Sequence, residues 1–356
     1  MKTRVLHISE TFAGGVYLYI KDICKYTEEN ENVQNFVIYS GKRKGTDFEK
    51  FPKDFSQNTK LIQIDMEREI SPIKDLRSVV RISKLIKEIA PNVIHLHSSK
   101  GGVLGRIASR NYSGAKLFYT PNGYSFVRKD ISIFKRLMFK LIESTVNKIF
   151  GGITIACGDT EYEYAKNIGK AILIRNGVNL AEISKYCEES KSSKIIIGTV
   201  GRLSHQKNPI LFNRIANKFK EVDFVWVGDG KLKNVFDSEN ISVTGWLTRN
   251  EVHQEVNKFD VYLQTSLWEG LPFSIIEAMA LKKPIVANNV IGNKDAVFNE
   301  KNGYLCESLH DFENAIRKLI TDTSIKKEMG NQSFKIAQEL FDRNRSLKEL
   351  FEVYSK

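Results

Sequence analysis

The sequence predicts an α/β protein built from two doubly wound parallel sheets. Three observations predict it. The chain has 356 residues, more than one hydrophobic core usually serves, so two domains are expected. Short apolar runs alternate with helical stretches along its length, the pattern of strands joined by crossover helices. A polar stretch, residues 182–193, separates two such series and reads as a linker.

Composition narrows the class. It is that of an ordinary soluble globular protein. No apolar run reaches the length of a membrane span. The start, Met1 to Ser9, reads as a strand and not a signal peptide, because its apolar part is short and alternates. Cys24, Cys157, Cys187 and Cys306 are scattered without a C-x-x-C pair, so no zinc or disulfide pattern follows and a reducing cytoplasm is the natural setting. With 54 basic and 42 acidic residues the formal net charge is +12. That suits nucleic acid, anionic lipid or a phosphorylated substrate. No zinc-finger, RNA-recognition or basic-zipper pattern is visible, so nucleic acid is not the expected partner.

In order, Arg4 to Ile8 reads as the first strand, and Glu10 to Gly15 as a turn into a helix from Val16 to Glu28. Gly14 and Gly15 at this junction let the backbone approach a ligand closely, or simply make a tight turn. Asn35 to Tyr39 is a second strand, and residues 42–60 read as a polar, charge-rich loop. Apolar residues at helical spacing run from Leu76 to Ile89, and Pro91 ends that helix. The strand Asn92 to His97 follows. His95 and His97 lie two apart and share one strand face, but no third metal ligand is near in sequence. His97, Ser98 and Lys100 sit at the strand's carboxyl end, where open parallel sheets bind ligands. Ala115 to Thr120 is a strand that ends in Pro121-Asn122-Gly123, where Asn122 reads as a turn residue. Ile131 to Phe150 is a long helix with an apolar stripe and with Arg128, Lys129, Lys135, Arg136 and Lys140 on or beside it. It is either core-facing with a solvated basic side or laid on an anionic membrane. Gly152 to Ala156 is a strand, and Glu161 to Asn167 a short helix.

The second series opens with Lys194 to Val200, a buried parallel strand. Arg202 and Lys207 hang at its carboxyl end, before a helix that starts near Pro209. Two cations there suit a diphosphate, Arg as a fork and Lys as a point charge. Alternating strands and helices lead to the strand Val261 to Thr265 and then to a turn through Gly270 and Pro272 that opens a helix. The first-turn N–H groups near Phe273, Ser274 and Ile275 and the helix dipole make an anion site. Glu269 stands just before this helix and Glu277 inside it, and carboxylates accept hydrogen bonds from sugar hydroxyls. Phosphate cradle and carboxylates together suit a nucleotide-sugar.

Glu269-Gly-Leu-Pro-Phe-Ser-Ile-Ile-Glu277 resembles the E-x7-E element of family-4 retaining glycosyltransferases of the GT-B fold. The resemblance spans nearly the whole chain and is strongest in residues 195–306. It implies two Rossmann-like domains facing across a cleft: an acceptor-side domain, residues 1–182, a nucleotide-sugar domain, residues 183–340, and a C-terminal helix, residues 341–356, that crosses back. Glu269 would hold the sugar's hydroxyls and Glu277 the ribose, with Gly270, Leu271, Phe273 and Ser274 around the donor. Gly201-Arg-Leu-Ser-His-Gln-Lys-Asn-Pro209 resembles the family's diphosphate clamp, which assigns Arg202 and Lys207 to the leaving group. Gly14 and Gly15 would face the donor phosphates. The string from His95 to Gly102 resembles the acceptor-side loop of bacterial surface-polysaccharide enzymes, which assigns His97, Ser98 and Lys100. Many members carry a histidine where this chain has Asn122, beside the reacting sugar; Asn can hydrogen-bond a hydroxyl but cannot carry a proton charge.

The expected activity is transfer of a sugar from a nucleoside-diphosphate sugar to a saccharide, or lipid-linked saccharide, with the anomeric configuration retained. No cofactor is expected. The chain has no Asp-x-Asp pair to hold a metal, and Arg202 and Lys207 take that role. The expected place is the cytoplasm, with an anionic inner-membrane surface as a partner. Two rivals are a nucleotide-sugar epimerase of the same fold, which Asn122 disfavours, and an inactive nucleotide-sugar-binding subunit, which the intact Arg202, Lys207, Glu269 and Glu277 set disfavours.

Overall fold

Strand β1 (Thr3–Ser9) is buried from Val5 onward, with Val5, Leu6, His7 and Ile8 all inaccessible. A strand buried on both faces belongs inside a parallel sheet, and the computed structural model places it in the middle of one. The structure describes residues 2–30, 32–42, 48–188 and 194–356. Six further strands join β1: β2 (Val33–Tyr39), β3 (Lys60–Gln63), β4 (Val93–His97), β5 (Lys116–Thr120), β6 (Ile153–Ala156) and β7 (Ala171–Leu173). They pair in parallel in the order β3-β2-β1-β4-β5-β6-β7. The second sheet holds β8 (Ile196–Val200), β9 (Asp223–Val227), β10 (Ile241–Val243), β11 (Val261–Gln264), β12 (Ile285–Asn288) and β13 (Gly303–Cys306), in the order β10-β9-β8-β11-β12-β13.

Both orders reverse once, beside β1 in the first sheet and beside β8 in the second. A doubly wound sheet leaves its ligand crevice at such a reversal, outside the carboxyl ends of the strands. The reversals lie between β1 and β4 and between β8 and β11, so four loops are singled out by topology alone.

The chain forms two compact units. One comprises residues through Ile174 together with Leu347–Lys356; the other is Arg175–Ser346. The sequence puts the join at 182 and 183 and the returning segment at 341. In the second unit, Phe212, Trp226, Phe224 and Phe312 fill the space between sheet and helices. Burial of each such side chain stabilises by about 1.5–3 kcal/mol. In the first unit, Phe12, Tyr17, Tyr39, Phe51 and Phe55 form an aromatic cluster.

Three local readings change. Within the span read as a polar loop, a short helix (Phe51–Asp54) and the beginning of β3 appear; residues 43–47 lie outside the described residues. β3 is an edge strand with half-exposed Leu61 and Ile62, too short and too polar to announce itself. The helix read from Glu161 runs Asp159–Ile168. Part of the polar stretch read as linker is helical, Leu180–Ile183 followed by a tight turn Ser184–Tyr186, and residues 189–193 lie outside the described residues.

Candidate functional site

In the second unit, the loops after β8 and β11 meet because those strands are neighbours. The loop after β8 carries Arg202 and Lys207. Arg202 is exposed and Lys207 half-buried. Lys207 Nζ donates to Glu269 Oε1 at 2.7 Å. Gln206 Nε2 donates to Glu269 Oε2 at 3.2 Å and Gln264 Nε2 to Oε1 at 3.3 Å. The Thr265 hydroxyl donates to the Lys207 carbonyl at 2.8 Å, which ties the two loops together. Glu269 is buried, and a buried carboxylate is tolerated only when so bonded. Its two oxygens offer about four acceptor sites, of which these three donors take three. An ammonium has three donors, so the Glu269 bond leaves Lys207 two for another ligand.

Gly292 explains how close the loop after β12 comes. Its φ is +83°, and a Cβ there would lie 2.3 Å from the Gly270 carbonyl oxygen and 2.7 Å from Glu269 Cβ. Only glycine fits such an approach.

Helix Phe273–Ala280 opens at Pro272 with no side-chain cap. The expectation of three open amides is corrected at one position: the Ile275 N–H donates to the Pro272 carbonyl at 3.1 Å. Phe273 and Ser274 are half-buried, and their amides have no backbone partner among the described residues. The Ser274 hydroxyl likewise has none. Leu271 is buried and Gly270 half-buried in the turn before it.

Glu277, buried in that helix, meets two groups that sequence reasoning missed. Arg249 Nη2 donates to its Oε1 at 2.8 Å, and His253 Nε2 lies 3.7 Å from the same oxygen. Burial alone pushes the Glu277 carboxyl up, but the Arg249 charge and His253 outweigh it and hold the carboxyl below its ordinary value. Arg249 starts the helix Arg249–Asn257 and His253 lies one turn on, and the Thr248–Glu251 capping box fixes the first turn. The motif signals only the carboxylate; its cationic partner comes from a distant helix.

In the first unit, Ser9, His97 and Thr120 stand opposite one another on β1, β4 and β5. Three loops therefore leave one edge side by side. Gly14 and Gly15 are exposed at the start of helix Gly14–Asn30, and Gly14 has φ +59° with open space where a Cβ would be. Ser98 has φ 64° and ψ 156°, a region most side chains avoid and one that costs about 1–3 kcal/mol. It is held by its N–H to the Thr120 carbonyl, 3.1 Å, and by its carbonyl to the Gly102 N–H, 2.8 Å. Its hydroxyl is buried without a partner. Asn122 is half-buried with φ 53°, a left-handed position that Asn tolerates. Buried Glu161 accepts from the Gly123 N–H at 2.6 Å and the Cys157 N–H at 3.0 Å, pinning this turn.

Two acceptor-side residues are placed differently from a simple exposed loop. Lys100 bonds the Asp75 carboxylate at 2.5 Å and the Glu69 carbonyl at 3.1 Å. His97 is fully buried. The third imidazole that the sequence lacked comes from β1: His7 Nδ1 lies 3.0 Å from His97 Nε2. His95 is bonded at both ring nitrogens, to Tyr354 at 2.5 Å and to Thr120 at 2.8 Å. The three rings could in principle ligate a cation, with donor atoms within 4.8 Å of one another. The bonds already made at both nitrogens of His95, and between His7 and His97, fit a hydrogen-bonded core network better.

Residues 183–336 match the family model described as Glycosyl transferases group 1, and residues 45–151 match one described as Glycosyl transferase 4-like. The chain is 31% identical to a UDP-Gal:alpha-D-GlcNAc-diphosphoundecaprenol alpha-1,3-galactosyltransferase of Escherichia coli, over 73% of each chain. It is 24% identical to the capsular polysaccharide biosynthesis glycosyltransferase CapM of Staphylococcus aureus, over 82% of this chain and 84% of that one. Among solved structures, HepE of Anabaena in complex with UDP and glucose superposes with a TM-score of 0.80 at 19% identity, over 99% of both chains. The sucrose-phosphate synthase of Thermosynechococcus elongatus superposes at 0.83 and 15% identity, over 99% of this chain and 98% of that one.

Proposed function

This chain belongs to the group 1 glycosyltransferases, and from that premise we propose that it moves a sugar from a nucleoside-diphosphate sugar to a lipid-linked saccharide during surface polysaccharide assembly. The observation that carries the reading is the Lys207–Glu269 pair, set beside the start of helix Phe273–Ala280 at the reversal of the second sheet. The hard step is departure of the diphosphate as negative charge builds on its oxygen. Arg202, the free donors of Lys207 and the Phe273 and Ser274 amides answer that charge, the kind of stabilisation that is usually the largest catalytic contribution. Because these groups are cationic or N–H donors, we read the transfer as needing no metal. Glu269 has one acceptor site left for a sugar hydroxyl, and Glu277 is assigned to the ribose. In the first unit, Asn122 is assigned to the reacting sugar, Gly14 and Gly15 to the donor phosphates, and the loop from His97 to Lys100 to the acceptor, with Ser98 its buried, unpartnered hydroxyl.

In the name of the Escherichia coli relative, the diphosphoundecaprenol acceptor supports the lipid-linked acceptor, and the alpha-1,3 bond formed from UDP-Gal supports retention of configuration. We place the reaction at the cytoplasmic face of a membrane; among the described residues no helix is long and apolar enough to cross one. The test is incubation with a panel of nucleotide-sugars and lipid-linked saccharides. Release of nucleoside diphosphate coupled to an α-linked product is expected. A changed sugar without release marks an epimerase, no reaction an inactive subunit, and either rejects the reading.

A further inference from the structure

Helix Ile133–Phe150 is turned inside out. Its buried residues are Glu143, Val146 and Asn147, while Phe134 is 80% exposed and Ile133, Leu137 and Leu141 are exposed with it. Hydrogen bonds hold that rotation. Glu143 accepts from the Tyr119 hydroxyl at 2.8 Å, and Asn147 Nδ2 donates to the Ile168 carbonyl at 3.0 Å. The only acid of this helix is thus buried. Its outer surface carries Lys135, Arg136, Lys140 and Lys148 among the apolar side chains.

Helix Pro72–Ile89 repeats the arrangement. Ser78, Ile82, Ile86 and Ile89 face the core. Ile73, 71% exposed, aligns with exposed Leu76 and Val80 at helical spacing, and Ile70 precedes them. Exposed Arg77, Arg81 and Lys84 flank this stripe. The starts of the two helices are laced to one element between them, helix Ser99–Ser109. Its Lys100 bonds Asp75 and the Glu69 carbonyl, and its Ser99 hydroxyl accepts from the Ser125 N–H at 3.2 Å in the turn Ser125–Val127, whose Phe126 carbonyl accepts from Arg136 Nε at 3.0 Å in the first turn of helix Ile133–Phe150. Both stripes occupy the first halves of their helices, toward the sheet edge that carries Ser98 and Asn122.

We propose that the exposed stripes of helices Pro72–Ile89 and Ile133–Phe150 form one docking surface for an anionic lipid bilayer. Apolar side chains enter the interface while the interleaved lysines and arginines meet anionic headgroups. The proposal deepens the lipid-linked-acceptor reading and rests on it for its purpose: the surface brings the rim of Ser98 and Asn122 to the plane in which such an acceptor's headgroup lies. Binding to lipid itself needs no turnover.

The experiment is sedimentation of the full chain with vesicles of phosphatidylcholine alone, or with an equal part of phosphatidylglycerol. Binding is expected only with phosphatidylglycerol and weakens with salt. The triple variant Ile73→Ser, Leu76→Ser and Val80→Ser lowers binding roughly tenfold or more, as does the triple variant Phe134→Ser, Leu137→Ser and Leu141→Ser, since each removes exposed apolar surface that would be buried. Melting temperature and thermal stabilisation by nucleotide-sugars stay as in wild type. Wild-type binding by the Ile73, Leu76 and Val80 variant overturns the proposal, as does a solution dimer that these substitutions dissociate. If vesicle binding behaves as stated but no nucleotide-sugar stabilises the wild type, the surface stands and the transferase reading fails.

Discussion

Lys207 Nζ and Glu269 Oε1 lie 2.7 Å apart, although their strands are separated by two others in the chain. The carboxylate fixes the ammonium while leaving two of its donors open. Lys207→Met should therefore do two things. It removes a charge-assisted contact to the leaving group, lowering turnover by about ten- to a hundredfold. It also strands a buried carboxylate, lowering stability by about 1–3 kcal/mol. Replacing Glu269 by Gln as well should restore much of the stability and none of the turnover. Turnover and denaturant unfolding of the single and double variants check this; a fully active Lys207→Met rejects the clamp.

Arg249 is predicted to act on donor affinity. It is the principal reason why Glu277 stays ionised despite burial. Arg249→Gln should raise the Glu277 pKa and weaken donor binding about tenfold at neutral pH, with a further loss as pH falls and the carboxylate takes a proton. In the wild type the lowered carboxyl keeps donor affinity flat over that range. Nucleotide-sugar titrations at several pH values check it, and a flat profile in the variant rejects the coupling.

Asn122→Ala is expected to lower turnover more than donor affinity, because the assigned contact is to the reacting sugar. Steady-state kinetics decide. Unchanged kinetics leave Asn122 as a turn residue only.

The histidine network predicts acid lability. Burial pushes His7 down from 6.5 to about 3 and carries His95 and His97 down as well. Between those values the unfolded chain binds protons that the folded one does not, so stability rises with pH there. It is whole above about pH 6.5 and is lost as pH falls toward 3. One pKa unit is about 1.4 kcal/mol, so His7 alone removes several. Melting temperature should fall steeply below pH 6, and His7→Gln should flatten that slope even where it lowers the plateau. An equal slope in the variant rejects the assignment.

The fold was legible because parallel strands announce themselves by apolar runs such as Ile195 to Val200, and the loops after β8 and β11 because motif residues cluster there. What was hidden is what the sheet brings together from afar. His7 became the neighbour of His97 through the β1–β4 pairing, and Arg249 the partner of Glu277 through helix packing. Neither spacing carries a signal. Helix Ile133–Phe150 was hidden differently. Its stripe has the right period, but period does not tell which side faces in; buried Glu143 and Asn147 decide that.

The helix Arg343–Ser355 begins in one unit and ends in the other. Tyr354, the partner of His95, therefore emerges from the ribosome only after all of Arg175–Ser346. Until then His95 Nδ1 lacks the hydroxyl it meets in the complete chain. The first unit's final closure is a contact across a very large sequence separation, the kind that forms slowly because the intervening chain must be ordered first. Synthesis order and assembly order thus run in opposite senses: the segment translated first is the one completed last.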